Sequence, residues 1–182
     1  MVTQEQLQQI MPNLALERVQ TFLPWLNKAM DNVSINTPLR IAYFLAQIAH
    51  ESGELRWWLE QDDGMNYDIT VNPHLAAILG NTQPGDGPKY KGRSPIQLTG
   101  RSNYTNCGSS LGIDLVNSPE LAEMHEHGFD VTTWYWSTHN LNEYADNQDF
   151  LGLTQKINGG LTGEDDREKY LAVAKQVLQI SS

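Results

Sequence analysis

LAQIAHESGEL, residues Leu45–Leu55, is an apolar run that stops abruptly in a histidine, a glutamate, a serine and a glycine. Ile41, Ala42 and Phe44 extend the run upstream, so the segment from about Leu39 is apolar nearly all round. A helix of that kind is normally buried. Pro38 suits its first turn, and the pattern predicts a helix over Pro38–His50. A carboxylate at the end of a buried helix is costly unless it is paired, solvated or protonated. Glu51 is therefore the first residue to explain.

Outward from this helix, most of the chain reads as helix and loop. Thr3 with Gln6 forms a capping-box pattern ahead of Leu7, Ile10 and Met11. A helix is expected over Leu14–Met30 with Asn13 as its N-cap and Leu16, Val19, Phe22, Leu23 and Leu26 as its apolar stripe. Pro24 falls inside that pattern and should kink or split it. Residues 61–93 hold Gly64, Pro73, Gly80, Pro84, Gly85, Gly87, Pro88 and Gly92 with little periodicity, which reads as a long loop-rich excursion and a candidate second lobe. Ser118-Pro119-Glu120 opens a short helix, and a tryptophan-rich helix is expected over Val131–Asn140. Asp149 caps a helix that ends at Asn158-Gly159-Gly160. The last helix follows Thr162, with Tyr170, Leu171, Val173, Ala174, Val177 and Leu178 facing inward. The expected fold is mainly α, in one domain over residues 1–182.

Composition narrows the function. The 182 residues suffice for one domain with a real core, and a hydrophobic content of 40% marks a globular chain. A formal charge of −10 argues against nucleic acid as the main partner. The single cysteine, Cys107, permits no internal disulfide. The start, MVTQEQLQQIMPN, lacks the basic and apolar regions of a secretory signal, and no run approaches a membrane span. The expectation is a chain made in the cytoplasm, without stable membrane insertion, that needs another agent for release if it acts outside the cell.

Several motifs compete for the chemistry. His50-Glu51 would open a zinc-protease motif only with a second histidine at position 54, which is Glu54. His125 and His127 stand two apart, which on a helix points them in different directions, and they read as a solvated turn. No metal or other cofactor is expected. Gly108-Ser109-Ser110-Leu111-Gly112 matches the esterase pattern, but no convincing strand precedes it. The remaining candidate is a pair of carboxylates, Glu51 and Glu60. On one continuous helix, nine residues would put them on opposite faces. Ser52-Gly53 can break the helix and let them face each other across a cleft. Glycoside hydrolysis needs such a pair, one protonated acid for the leaving oxygen and one base for water. The apolar setting of Glu51 should raise its pKa, which suits the acid.

The order of four separated segments resembles the family 19 glycoside hydrolases, the lysozyme-like chitinases, and most closely their compact phage endolysin branch. The segments are His50–Gly53, Leu79–Gly87, Tyr90–Tyr104 and Ile157–Gly160, within a match from about residue 36 to 172. The resemblance implies a lysozyme-like, two-lobed helical domain with a substrate cleft. It implies an inverting hydrolase of β-1,4 links between N-acetylated amino sugars, with Glu51 as acid and Glu60 as second carboxylate. Glu54, Asp62 and Asp63 lie close enough to compete for that second role. By the same resemblance His50, Gln97, Thr99, Asn103 and Asn158 line the substrate path, and Arg167 pairs near the catalytic carboxylates. Tyr90, Trp57 and Trp58 can stack on sugar faces, while Trp134 and Trp136 belong to the core. Lys89, Lys91, Arg93 and Arg101 form a basic island that can meet wall carboxylates or pair with the protein's own acids. Ser94 stands where relatives usually have glycine and fits if its backbone torsion is negative.

The resulting expectation is an endolysin, acting as a monomer on peptidoglycan in the wall or periplasm and released by a holin-type partner in phage lysis. A chitinase acting on chitin oligosaccharides and an inactive sugar-binding protein are the alternatives, with a Ser110 esterase further off.

Overall fold

The computed structural model describes residues 1–180. Among the described residues the α-helices are α1 (Gln4–Ile10), α2 (Leu16–Asn32), α3 (Pro38–Glu51), α4 (Pro73–Leu79), α5 (Asp86–Lys89), α6 (Arg101–Leu111), α7 (His125–Thr138), α8 (Leu141–Asp146), α9 (Phe150–Asn158) and α10 (Glu164–Val177). Two 3-10 turns occupy Met65–Tyr67 and Pro119–Glu123. Extended pairing among these residues is limited to the isolated antiparallel bridges Leu59–Arg93 and Arg93–Leu98. The fold is mainly α, as the apolar periodicities indicate. No described helix is long and apolar enough to cross a membrane.

The chain divides into two compact units. One comprises Met1–Arg56 and the described residues from Trp136 onward; the other is Trp57–Tyr135. The loop-rich middle of the sequence thus becomes a folded unit of its own.

In the first unit α3 is the central element. Every residue from Ile41 to Ala49 is buried. Thr37 caps the helix by accepting from the Arg40 N–H at 3.2 Å, and α10 and α8 pack against it. Tyr43 meets Phe150 edge-on with ring centroids 5.2 Å apart, and Phe44 meets Trp136 likewise at 5.0 Å. Pro24 is carried inside α2 without splitting it. Two expectations for α2 fail. Its N-cap is Ala15, with no side-chain bond, and Leu16 is 46% exposed. Asn13 is committed elsewhere: its backbone N–H and its Nδ2 donate to Glu54 at 2.5 and 2.7 Å. In α10, Leu171 and Ala174 are buried as expected, but Val173 faces outward at 38% exposure.

The second unit is held by carboxylates as much as by apolar contacts. Its core gathers Tyr90, Leu98, Tyr104, Cys107, Leu115, Ala122 and Val131. Trp58 packs edge-on against Phe129 at 4.9 Å. Burial pushes the Cys107 thiol up to about 12, so it is an inert core residue. The tryptophan-rich helix α7 begins earlier than expected, so His125 and His127 lie in its first turn. The Leu79–Gly87 segment is tied down by buried side chains. Asp68 accepts from the Thr70 hydroxyl at 2.7 Å and from the N–H groups of Thr70, Gly85 and Gly87. Asp86 accepts from the N–H groups of Thr82 and Gln83 and from the Arg101 guanidinium. Asn81 donates to the Tyr67 carbonyl and accepts from the Arg101 N–H.

The hydroxyl bond from Thr70, then the backbone bonds, hold the Asp68 carboxyl down at about 2. An unfolded aspartate titrates near about 3.9. Because the folded value is the lower one, Asp68 contributes stability that is complete above pH ~4 and is lost as pH falls through ~2. Asp68→Asn should lower stability at neutral pH and flatten its decline between about pH 4 and 2. Urea unfolding followed by circular dichroism at stepped pH checks this, and an unchanged slope would contradict it.

Candidate active site

His50, Glu51, Asn158 and Arg167 belong to the first unit, and Glu60, Tyr90, Gln97, Thr99 and Asn103 to the second. In the first unit, α3 ends at Glu51, with Ser52 as C-cap and Gly53 at φ 54°. The break expected at Ser52-Gly53 is present. The Ser52 hydroxyl donates to the Ile48 carbonyl at 2.5 Å and accepts from the Leu55 N–H at 2.7 Å, which fastens the end of the helix.

The carboxylate of Glu51 sits at the C-terminal end of a helix, where the partial charge is negative and the position unfavourable for an anion. Arg167 offsets this. Its Nη2 donates to Glu51 Oε1 in a close ion pair, with the Arg167 side chain 1% exposed and that of Glu51 17% exposed. The other guanidinium nitrogens are also engaged, Nη1 by Gln47 Oε1 at 2.5 Å and Nε by the Thr162 carbonyl at 3.4 Å. Arg167 thus pairs with Glu51 as the resemblance implies, and a guanidinium so enclosed holds that carboxylate rather than binding a sugar directly.

His50 is likewise occupied by its own chain. Its Nδ1 lies 2.7 Å from Asp166 Oδ2, and its Cε1–Nε2 edge lies over Gly163 so closely that a Cβ there would come within 2.2 Å. Direct sugar contact from the ring is therefore not supported. Asn158 stays available: it is exposed at the end of α9, with only a 3.4 Å bond from Nδ2 to the Thr162 carbonyl.

Of the rival carboxylates, Glu54 is 3% exposed and accepts from Asn13 twice and from the Tyr170 hydroxyl at 2.9 Å. It latches the left-handed turn Gly53–Leu55, where Glu54 has φ 63° and Leu55 φ 60°. Asp62 and Asp63 bond to the N–H groups of Gly64 and Met65, shaping the next turn.

In the second unit Glu60 is clamped over Gly92. Its N–H donates to the Gly92 carbonyl at 2.9 Å, and its Oε2 accepts from the Gly92 N–H at 2.7 Å. Oε1 accepts from the Tyr67 hydroxyl at 2.7 Å. Burial, followed by the bond to Glu60, pushes the Tyr67 phenol well above its usual range, so it stays a donor. A Cβ at position 92 would meet Gln97 Oε1 at 2.6 Å and Glu60 Oε2 at 3.1 Å. Glycine is needed here for space, and Glu60 and Gln97 come together over it. Gln97 Nε2 donates to the Ser94 carbonyl at 3.2 Å and to the Trp57 carbonyl at 3.4 Å. The Thr99 hydroxyl donates to the Gln97 carbonyl at 2.9 Å, and Asn103 Nδ2 to the Thr99 carbonyl at 2.8 Å. Gln97, Thr99 and Asn103 are half-buried and form one linked row.

Other expectations are corrected. Tyr90 is fully buried and its hydroxyl donates to the Val116 carbonyl at 3.0 Å, so it cannot stack on a sugar. Trp58, 7% exposed, packs on Phe129, which leaves Trp57, 55% exposed, as the available stacking face. Trp136 is core, and Trp134 packs against the core of the second unit. The basic island resolves largely in favour of internal pairing. Arg93 bonds Glu123 at 2.7 Å, Arg101 bonds Asp86, and Lys91 donates to the Asp62 carbonyl at 2.8 Å. Ser110 lies on α6 rather than on a strand-to-helix elbow.

Sequence reasoning missed Gln47, Thr154, Asp166 and Tyr67. Gln47 alone carried a signal, as an amide inside the apolar run four residues before Glu51.

Two carboxylates, Glu51 at the end of α3 in the first unit and Glu60 over Gly92 in the second, are the residue type that a glycoside hydrolase uses. The profile of glycoside hydrolase family 19, chitinase class I, matches residues 24–155, and the chain belongs to that family. A glycosyl hydrolase family 19 domain-containing protein of Haemophilus influenzae is 31% identical over 156 residues, covering 70% of this chain and 74% of that protein. Endochitinase 2 of Gossypium hirsutum is 35% identical over 105 residues, and the match spans only 35% of its length. A crystal structure of a bacterial family 19 chitinase superposes with a TM-score of 0.78 at 25% identity, covering 99% of this chain and 96% of that one. The fold is chitinase-like.

Ser94 does not meet the condition of a negative torsion: its φ is 65°, and its buried hydroxyl has no hydrogen-bond partner among the described residues. A non-glycine residue there costs roughly 1–2 kcal/mol, and an unpaired buried hydroxyl roughly 1–3. Glycine returns roughly 0.5–1 through the entropy of the unfolded chain. Ser94→Gly should stabilise the protein by ~1 kcal/mol or more, read from urea midpoints; destabilisation would contradict this account of the turn.

Proposed function

We propose that the chain hydrolyses β-1,4 links between N-acetylated amino sugars by an inverting mechanism, with Glu51 as general acid and Glu60 as general base. The observation that carries this is the carboxylate of Glu51, fixed at the end of a buried helix by a buried arginine yet itself still partly open to solvent. Glu51 protonates the glycosidic oxygen as the bond to the anomeric carbon breaks. Glu60 takes a proton from the attacking water. A carboxylate has about four lone-pair sites, and the bonds from Tyr67 and Gly92 leave some for that water. Amide and hydroxyl groups of Gln97, Thr99, Asn103 and Asn158 can both donate to and accept from N-acetyl and hydroxyl groups. The exposed face of Trp57 suits a sugar ring.

The polymer we propose is peptidoglycan, supported by the resemblance of the Leu79–Gly87 segment to the endolysin branch. On this reading the protein acts on the cell wall after release by a holin-type partner, and as a monomer, since one chain carries both carboxylates. A second reading, chitin, is favoured by the chitinase names of the relatives and by the internal pairing of Arg93 and Arg101.

Release of reducing ends from purified peptidoglycan and from an N-acetylglucosamine hexamer separates the two. Glu51→Gln should lower kcat by about 10²–10⁴-fold or more on the cleaved polymer, with binding retained. Cleavage confined to the hexamer would favour chitin. Binding without cleavage of either would make the protein a sugar-binding one.

A further inference from the structure

Gln47 is a fully buried amide in the otherwise apolar stretch that forms the middle of α3. An amide in such a place is costly unless its groups are paired. Both ends are paired, and in a directed way. Oε1 accepts from Arg167 Nη1 at 2.5 Å, and Nε2 donates to the hydroxyl of buried Thr154 at 2.9 Å. Gln47 precedes Glu51 by four residues, so the two share a face of the helix. The guanidinium of Arg167 spans them, with Nη1 on Gln47 and Nη2 on Glu51.

We propose that Gln47 is a positioning residue for the acid. It sets the plane of the Arg167 guanidinium, and Thr154 sets the plane of Gln47. A guanidinium gripped on one nitrogen can swing about that contact. One gripped by Gln47 on Nη1, with the longer Nε bond to the Thr162 carbonyl behind it, presents Nη2 to Glu51 in a single geometry. The chain from Thr154 through Gln47 and Arg167 thus transmits the rigidity of α9 and the middle of α3 to a carboxylate at the helix terminus. Packing alone does not require it, since a methionine would fill the same space without a polar group. The inference rests on the assignment of Glu51 as the acid.

The test compares Gln47→Met, Thr154→Val, Arg167→Met and the double variant Gln47→Met/Arg167→Met with wild type and Glu51→Gln. Kinetics are measured on peptidoglycan and on the N-acetylglucosamine hexamer, with a thermal unfolding curve for each variant. Loss of fixed geometry at a reacting group costs up to about 10²-fold. Gln47→Met should therefore lower kcat by about 10–100-fold with KM within about twofold. Because Gln47 acts through Arg167, the double variant should be no slower than Arg167→Met. Thr154→Val leaves Arg167 its acceptor and should lower kcat by a few-fold, again with KM unchanged; it carries the test if Gln47→Met does not fold.

A folded Gln47→Met with wild-type kcat would overturn the inference. So would losses that multiply in the double variant, or a Thr154→Val variant that loses melting temperature but not kcat. An active Glu51→Gln would instead overturn the assignment of the acid. A wild-type chain that cleaves neither polymer would overturn both.

Discussion

The ion pair between the buried guanidinium of Arg167 and Glu51 is the contact on which the setting of Glu51 depends. A carboxylate at a helix C-terminus faces the wrong end of the dipole, and a buried arginine without a partner is worse still. Each removes the other's penalty. Removing Glu51 would leave the Arg167 guanidinium as a buried charge without its carboxylate. Around the pair α10 packs against α3, and the Gln47 amide oxygen accepts from the same guanidinium.

The second unit solves a similar problem with less charge. Glu60 is placed by a reciprocal pair of bonds to the backbone of Gly92 and by the Tyr67 hydroxyl, all neutral groups. The surrounding segments are polar and rich in glycine, so apolar burial cannot define their path. Asp68 and Asp86 do so instead, gathering backbone N–H groups that would otherwise be unpaired. Burial works against ionisation of Asp86, but Arg101 and the Gln83 and Thr82 N–H groups outweigh it and its pKa is lowered. These bonds fix the path of the Leu79–Gly87 segment.

What could be read in the sequence were features with a local signature. The apolar helix, its stop at Ser52-Gly53, the Thr3 capping box and the Gly159 turn follow from composition and spacing within a few residues. Glu51 stood out because a carboxylate ending an apolar run is physically anomalous. The failures involve partners far apart in the chain. Asn13 looks like a helix cap until Glu54, 41 residues on, takes its donors. Tyr90 looks like a sugar platform, yet it lies in a core closed by residues such as Leu115 and Val131. The bonds of Gln47 to Thr154 and Arg167 span 107 and 120 residues. No local pattern encodes such contacts.

The central claim is that a water, not a protein carboxylate, attacks the anomeric carbon while Glu51 protonates the leaving oxygen. The anomer first formed tests it most directly. Proton NMR of a β-1,4-linked substrate during the first moments of hydrolysis should show the α-anomer ahead of mutarotation. Initial accumulation of the β-anomer would mean a covalent or substrate-assisted route, and would contradict the roles assigned here to Glu51 and Glu60.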